Sequence, residues 1–374
     1  MTLVDELYSK IDEGRKGKNT GLKTGLHKLD WYTGGFQKSI YKLWYGQSGS
    51  GKSSVVIFSE LYRTLKDYPD YPLLHVYFSL EMSSNVLLAK LLSLYLFETY
   101  GIELSYMDLM SVRTPISEDI YLYIQQSKYW LESISSKLII FDKQLSSNSF
   151  YSSMMEILKQ HGSFDKSEDG RRAIYTPNND KLIINVIIDH AGLITPSKGR
   201  TKKEEIDLLS TYCVRFRELC GISIDFIMQE NRNAGNIDRV KLNATETTLD
   251  DAKDSGGPIN DCNIAIAVYY PIKYQLKSYR GYRVLDDKNS GVVGLGSAIR
   301  SLLLLKNRFG TANKVFPVGF QGSIGRFVEL PKPELIDYNL YQNWKDDKYE
   351  DKNKEDETDN NCSVENKSKI QYSF

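Results

Sequence analysis

The chain has 374 residues, enough for one large domain or two small ones, and its 41% hydrophobic content supports a sizeable buried core. The 48 basic and 48 acidic residues cancel, which excludes a global positive field for nucleic acid, so any such site must be local. None of the four cysteines forms a C-x-x-C pair, and the sequence shows neither a signal-peptide core nor an apolar run of membrane-spanning length, so we expect a cytoplasmic protein without membrane contact, zinc or thiol-redox chemistry.

The N-terminal segment carries an amphipathic helical pattern over residues 2–13, with Leu3, Leu7 and Ile11 on one face. A polar, glycine-containing linker follows over 14–20. The apolar face either docks on a partner surface or packs on its own domain. The composition therefore predicts a linker helix and linker over 1–20, one globular domain over 21–335, and a charged, disordered tail over 336–374.

The stretch 46–53 fits the pattern G-x-x-x-x-G-K-[ST]. Glycines let such a loop curl so that its N–H groups point at phosphate oxygens, Lys52 supplies a charge for the β- and γ-phosphates, and the Ser53 hydroxyl can ligate Mg²⁺. Apolar patterns predict a strand over 40–45 and a helix over 54–66. ATP and Mg²⁺ are the predicted ligands, against the alternative of a chance match. The predicted cofactor-binding residues are Gly46, Gln47, Ser48, Gly49, Ser50, Gly51, Lys52, Ser53 and Ser54.

Strands alternate with helices through the rest of the chain, which predicts an α/β fold with a mostly parallel sheet flanked by helices. Two late strands predict a C-terminal β-hairpin around 306–314. The polar stretch 162–180 is interpreted as an inserted surface loop, and 233–251 as a mobile one. Further strands are predicted at 73–80, 137–142, 182–188, 222–228 and 264–270, and further helices at 84–100, 116–133, 151–161 and 203–220.

Three polar residues sit at or just after strand ends, where parallel sheets bind their ligands. Asp189 ends an apolar strand, and its carboxylate would hold Mg²⁺ directly or through water. Glu81 would orient and activate the attacking water, or else serve only as a first-turn acid of the next helix. Gln229 would touch the γ-phosphate and report its loss, or else be an exposed polar side chain.

Two later clusters carry charge. Lys306 and Arg308 stand two apart at a hairpin end, a pattern typical of cations donated in trans to a neighbour's phosphates, although solvated turn charges give the same pattern. The stretch 253–257, which contains Lys253, Asp254 and Gly256, follows the polar stretch. It offers a cation, a hydroxyl and exposed backbone N–H groups, which could bind a nucleic-acid backbone or form a simple turn.

Taken in order, these motifs resemble the RecA-type ATPase domain of the DnaB-like replicative helicases, from about Thr24 to Leu330. The P-loop and F-S-L-E-M-S at 78–83 are the most telling. The other matching motifs are T-G-L-x-x-L-D-x-x-T-G-G at 24–35, I-I-D-H-A-G-L-I at 187–194, Q-x-N-R at 229–232, K-D-S-G at 253–256 and K-N-R-F-G at 306–310.

The resemblance implies a RecA-like P-loop ATPase core that assembles as a homo-oligomer, usually a hexameric ring, with ATP at subunit interfaces and single-stranded DNA in the centre. By the same resemblance Glu81 is the catalytic glutamate, Gln229 the γ-phosphate sensor, and Lys306 and Arg308 the pair that reaches the neighbour's ATP. Ser53 and Asp189 are the metal ligands. Lys253, Asp254 and Gly256 resemble the DNA-tracking loop, where the family's usual Arg-Glu is replaced by Lys-Asp.

We also expect no helical N-terminal domain of the DnaB type, so residues 3–13 match only the linker helix that docks on the adjacent subunit. Contacts of that domain with a primase or loader are therefore not implied, and either protein remains a possible partner. The leading hypothesis is an ATP-dependent DNA helicase. One alternative is a RecA-like or KaiC-like ATPase that coats DNA without unwinding it. Another is an assembly clamp that holds nucleotide without turnover.

Overall fold

The computed structural model describes residues 2–166, 173–231, 239, 244–287 and 291–345, except for the side chains of 253–255. Its centre is a nine-stranded sheet in the order β13-β12-β11-β8-β1-β7-β6-β2-β3. The strands of this sheet are β1 (Tyr41–Gly46), β2 (Leu73–Ser79), β3 (Leu138–Phe141), β6 (Ile183–Asp189), β7 (Ser223–Gln229), β8 (Ile264–Tyr269), β11 (Ile299–Asn307), β12 (Lys314–Gln321) and β13 (Arg326–Glu329). Two separate hairpins consist of β4 (Gly162–Lys166) with β5 (Ala173–Pro177) and β9 (Ser278–Tyr279) with β10 (Tyr282–Arg283).

The sheet has a parallel and an antiparallel part. The six adjacent strands from β8 to β3 run parallel, whereas β11, β12 and β13 continue the sheet as antiparallel neighbours. This arrangement confirms the predicted α/β fold with a mostly parallel sheet and a C-terminal β-hairpin. Parallel strands place their carboxyl ends at one edge, so the segments that follow β1, β2, β6 and β7 meet there.

Helices cover both faces of the sheet. One helix, α3, is continuous through Lys52–Val56, a π-helical middle at Ile57–Tyr62, and Arg63–Asp67. The others are α1 (Leu3–Arg15), α2 (His27–Thr33), α4 (Ser84–Tyr100), α5 (Tyr106–Leu109), α6 (Glu118–Ser135), α7 (Ser147–His161), α8 (Lys202–Cys220) and α9 (Gly256–Asp261). Short 3-10 helices lie at Ala191–Leu193, Leu249–Ser255, Pro271–Tyr274, Gly296–Ala298, Pro333–Leu335 and Tyr338–Trp344. Within the described part of the chain, no helix is both long enough and apolar enough to cross a membrane.

The central strand β1 shows why the parallel strands have continuously apolar sequences. Leu43 and Tyr45 pack on one face with residues of α7 and α8, whereas Trp44 packs on the other face with residues of α3 and α4. All three side chains are fully buried. Because successive side chains of a strand point to opposite faces, a strand covered on both sides must be apolar at every position.

Local capping fixes the ends of the helices. Helix α8 begins after Thr201, whose hydroxyl accepts from the Glu204 N–H (3.3 Å) while the Glu204 carboxylate accepts from the Thr201 N–H (2.7 Å). It ends at Gly221, whose φ of 68° is accessible to glycine at little cost. The predicted helix over 203–220 therefore agrees with the structure to within one residue.

Three features differ from the sequence predictions. The prediction of an inserted loop over 162–180 is wrong, because in the described residues of this stretch β4 and β5 form an antiparallel hairpin. Helix α2 and strand β13 were not predicted. About half of the predicted mobile stretch 233–251, and the tail beyond 345, lie outside the described residues. Tyr341 is buried, so the packed structure continues past residue 335.

A buried charged cluster lies at the amino end of β1, away from the phosphate loop. The Lys42 ammonium bonds both carboxylate oxygens of Glu60, at 2.8 and 2.7 Å, and both side chains are almost inaccessible. Asp225, equally buried, accepts from Trp44 (2.8 Å) and Asn185 (2.9 Å). Burial raises the pKa of Glu60, and the attraction of Lys42 acts in the opposite direction. Lys42 therefore compensates the negative charge of two neighbouring carboxyl groups, those of Glu60 and Asp225.

Replacing Lys42 with methionine is expected to lower the free energy of unfolding by about 3–5 kcal/mol, because it leaves buried carboxylates without their cation. Urea unfolding of the nucleotide-free protein, followed by circular dichroism, measures the change. Lys66→Met is the control, since Lys66 forms a partly exposed pair with Glu98 at 3.4 Å and should cost about 1 kcal/mol or less. Equal losses in the two variants would contradict the prediction.

Candidate nucleotide and metal site

The phosphate loop joins β1 to α3. Its glycines occupy positions where a residue with a side chain would have a strained backbone or a steric clash. Gly49 and Gly51 have φ values of 74° and 95°. A Cβ atom at Gly46 would stand 2.5 Å from the carbonyl oxygen of Val268 on the neighbouring strand β8. The nine predicted cofactor-binding residues are contiguous here, on the loop and the first turn of α3. The loop thus ends at a helix N-terminus, where backbone N–H groups and the helix dipole favour an anion.

The lysine of the loop is enclosed by it. Lys52 is 7% exposed, and its ammonium donates to the Gln47 carbonyl at 2.8 Å. Burial lowers the pKa of Lys52 to about 8, while the negative charges of Glu81 and Asp189 act in the opposite direction. A cation that has lost most of its hydration interacts strongly with an incoming phosphate.

Asp189, at the carboxyl end of β6, lies against the first turn of α3. Its Oδ1 accepts a hydrogen bond from the Ser53 hydroxyl (2.6 Å) and its Oδ2 one from the Tyr77 hydroxyl (2.6 Å). The carboxyl group is fully buried, and burial raises its pKa although both hydrogen bonds act to lower it. The structure thus brings together the two residues predicted to bind metal.

The oxygen atoms of Ser53 and Asp189 are suitable ligands for Mg²⁺ when a nucleotide supplies further oxygens. Mg²⁺ keeps several waters and is bound through one or two protein oxygens together with substrate phosphates. The described residues contain no group of three or more His, Cys, Asp or Glu side chains that could hold a metal alone. Ser53 and Asp189 would therefore hold the ion jointly with a nucleotide rather than in an all-protein cage.

The other two strand-end residues lie at the same edge of the sheet. Gln229 pairs with Gly46 across β7 and β1, and its amide nitrogen lies 3.4 Å from the Nε2 atom of His190. Glu81 follows β2, whose last residue, Ser79, pairs with Asp189. Glu81 and Gln229 are both exposed. Each is therefore accessible to a ligand on the loop, Glu81 on the β2 side and Gln229 on the β7 side.

The predicted cation pair lies at the opposite edge. β11 runs antiparallel to β8, so its last residue, Asn307, pairs with the first residue of β8. Arg308 donates to the Asn260 carbonyl at 2.6 Å, and Lys306 donates to the same oxygen at 3.1 Å. A six-residue strand such as β1 spans about 20 Å, so neither cation reaches the phosphate loop of its own subunit.

The loop predicted to bind DNA lies just past β7. Residues 253–255 end the 3-10 helix Leu249–Ser255, and Gly256 begins α9. This 3-10 helix is linked to the end of β7 by a backbone hydrogen bond from the Asn231 N–H to the Asp251 carbonyl, at 2.9 Å. The structure therefore places the loop next to the segment that follows Gln229 rather than on the phosphate loop itself.

The model of the DnaB-like helicase C-terminal domain family matches residues 21–329. The chain belongs to this family. Among solved structures, one described as an ATPase domain superposes with a TM-score of 0.64 at 17% identity, over 88% of this chain and 100% of that one. A DnaB-like replicative helicase, solved in a study of its interactions with primase, gives a TM-score of 0.63 at 19% identity, over 88% of this chain and 68% of that one. No curated protein matches the chain.

In this DnaB-like chain, distant residues that the motifs did not reveal hold the phosphate loop. Arg300, buried at the start of β11, donates to the Ser50 carbonyl at 2.8 Å, and its guanidinium lies 3.3 Å from the Tyr270 ring centroid. Lys273 donates to the Ser48 carbonyl. A charge two residues before the apolar run 302–305 was the available signal for Arg300, whereas no local pattern marks Lys273 or Tyr77.

Proposed function

We propose that the protein is a ring-forming, ATP-dependent DNA helicase that moves along single-stranded DNA by hydrolysing ATP at its subunit interfaces. The separation of Lys52 from Arg308 carries this proposal. The phosphate loop and its strand-end side chains occupy one edge of the sheet, whereas Lys306 and Arg308 occupy the other. A site that draws on both sets of groups needs two subunits. Repeated head-to-tail contacts of this kind close into a ring when the rotation permits, and we propose a hexamer.

The N-terminal helix supports assembly. None of the residues of α1 is buried, and its apolar side chains recur at helical spacing. Its exposed apolar residues are Leu3, Val4, Leu7, Tyr8 and Ile11. The segment 106–129 also exposes apolar side chains, namely Tyr106, Met107, Met110, Val112, Tyr121, Leu122, Tyr123 and Tyr129. We propose that α1 of one subunit packs on this segment of the next.

The chemistry follows from the geometry at the loop. Lys52 and the backbone N–H groups of the loop would bind the phosphates of ATP, and Ser53 and Asp189 would hold Mg²⁺, which neutralises charge on the phosphates when bound. Glu81 would orient the attacking water and accept its proton. Arg308 of the adjacent subunit would stabilise charge on the transferred phosphoryl group.

Hydrolysis is coupled to DNA through the end of β7. Gln229 would contact the γ-phosphate and lose that contact when the phosphate leaves. Two residues on, Asn231 is bonded to Asp251, which precedes Lys253, Asp254 and Gly256. A shift at Gln229 thus reaches the loop that would grip the backbone of single-stranded DNA. We also propose a cytoplasmic primase or loader as a partner, but we assign no binding surface to it.

The proposal is tested by measuring ATP hydrolysis with and without single-stranded DNA, with light scattering on the same samples. Single-stranded DNA is expected to stimulate turnover, and ATP with Mg²⁺ is expected to produce a closed oligomer that separates a forked duplex. Lys52→Ala, which removes the phosphate-binding charge, is the inactive control. Turnover that ignores DNA would favour the assembly clamp. Strong stimulation without strand separation would favour a RecA-like or KaiC-like ATPase.

A further inference from the structure

The phenol of Tyr77 makes a contact that the catalytic motifs do not require. We propose that Tyr77 is a positioning residue of the metal site, whose hydroxyl holds the Asp189 carboxylate so that Oδ1 stays directed at the Ser53 hydroxyl. This inference rests on the proposed function, because it deepens the role of the Mg²⁺-nucleotide site. It predicts that Tyr77 sets how strongly Mg²⁺ tightens nucleotide binding.

The geometry fixes the carboxylate at both oxygens. Oδ2 accepts from Tyr77 and Oδ1 from Ser53, each at 2.6 Å, so rotation of the carboxyl group would break both bonds. Hydrogen bonds of this length to a carboxylate are the short, charge-assisted kind. The Tyr77 hydroxyl lies on the oxygen that does not contact Ser53, so it does not compete with a metal for the serine.

Tyr77 itself is held rigidly. It is fully buried on β2, beside Ile187 of β6, and packs in the same hydrophobic cluster as Ile187. A tyrosine side chain has only two torsions, and close packing on both sides restricts them. The hydroxyl is therefore a fixed point, whereas Ser53 lies on the first turn of α3, directly after the loop that must accommodate phosphates.

A purely structural role for the phenol makes a different prediction. A fully buried carboxylate needs donors, and Tyr77 would then stabilise the fold by the same amount with or without metal. Tyr62 provides the comparison, because its buried hydroxyl donates to the Leu94 backbone carbonyl (3.2 Å), away from Asp189. Removing the Tyr77 hydroxyl takes a donor from Asp189, whereas the Leu94 carbonyl lies inside helix α4 and keeps its helical partner without Tyr62. Of these two hydroxyls, only that of Tyr77 touches the metal site.

The test measures binding of a fluorescent ADP analogue in Mg²⁺ and in EDTA, and takes the ratio of the two affinities as the Mg²⁺ coupling. Tyr77→Phe is expected to lower this coupling about tenfold, since one hydrogen bond to a charged group contributes about 1.5 kcal/mol. Its affinity in EDTA should equal that of the wild type. Tyr62→Phe should retain the full coupling, and Asp189→Asn should lose it.

The outcomes separate this inference from the proposed function. Wild-type coupling in Tyr77→Phe, with coupling lost in Asp189→Asn, would overturn the role of Tyr77 and leave the metal site standing. Absence of coupling in the wild type would overturn both. If Tyr77→Phe does not fold, p-aminophenylalanine at position 77 keeps a donor there and should restore wild-type coupling. A folded protein with that residue and reduced coupling would also overturn the inference.

Discussion

Replacing Arg308 with alanine is expected to lower ATP turnover about 10³-fold or more, while nucleotide affinity changes little. Cations donated in trans to a transferring phosphoryl group contribute 10³–10⁵ to its rate. Arg308 stands about 20 Å, the length of a six-residue strand, from the phosphate loop of its own chain, so its proposed role requires the ATP of a neighbouring subunit. Steady-state hydrolysis at saturating ATP and single-stranded DNA measures the loss.

Mixing distinguishes this role from a structural one. Arg308→Ala and Lys52→Ala subunits should each be inactive alone. Mixed rings contain interfaces that join an intact phosphate loop from the first to an intact arginine from the second, and these should recover a fraction of the activity set by the mixing ratio. Absence of recovery in rings shown to contain both subunits would contradict the placement of Arg308 in trans.

The control variant is Lys314→Ala. Lys314 belongs to the same hairpin, where β11 and β12 pair, but its ammonium lies 5.4 Å from the Tyr32 ring centroid. Its removal takes one cation from this edge of the sheet and should leave turnover within a few-fold of the wild type. An equal loss in Lys314→Ala and Arg308→Ala would mean that net charge at the hairpin, rather than one guanidinium, supports hydrolysis.

The sequence predicted the carboxyl-edge residues because their positions depend on local pattern. A loop between an apolar strand and an apolar helix, and polar residues at strand ends, place Lys52, Glu81, Asp189 and Gln229 at one edge once the strands are parallel. Strand order does not enter that argument. For Arg308 the direction of one strand decides the outcome, because its distance from the phosphate loop depends on β11 running antiparallel to β8.

The residues that support the phosphate loop could not be predicted in the same way. Arg300 reaches Ser50 across 250 positions of sequence, and Lys273 reaches Ser48 across 225. Contacts of this kind depend on which strands become neighbours, and hydrophobic periodicity does not encode that information. The role of Tyr77 could not be predicted either. The sequence places its ring in an apolar strand, which indicates a core residue, and only the structure shows that its hydroxyl bonds to Asp189.

Replacing Glu81 with glutamine is expected to lower turnover by at least about 10²-fold, with ATP binding and assembly retained. The amide keeps the size and polarity of the side chain but accepts no proton from water. The carboxylate lies close enough to Lys52 and Asp189 to act electrostatically on both. Single-turnover hydrolysis and ATP binding, measured on the same preparation, separate loss of chemistry from loss of affinity.

The matched control is Glu156→Gln, which makes the same chemical change at an exposed position on α7. Glu81 precedes Ser83, the N-cap of α4, so it lies outside the first turn of that helix. An acid that only complements a helix dipole contributes about 0.3–1 kcal/mol to stability and nothing to chemistry. If Glu81 had that role alone, Glu81→Gln would lower the free energy of unfolding slightly, and the variant would hydrolyse ATP at the wild-type rate. A variant that still closes rings on ATP but no longer hydrolyses it excludes that interpretation, and it also excludes the assembly clamp, which needs no proton acceptor at the end of β2.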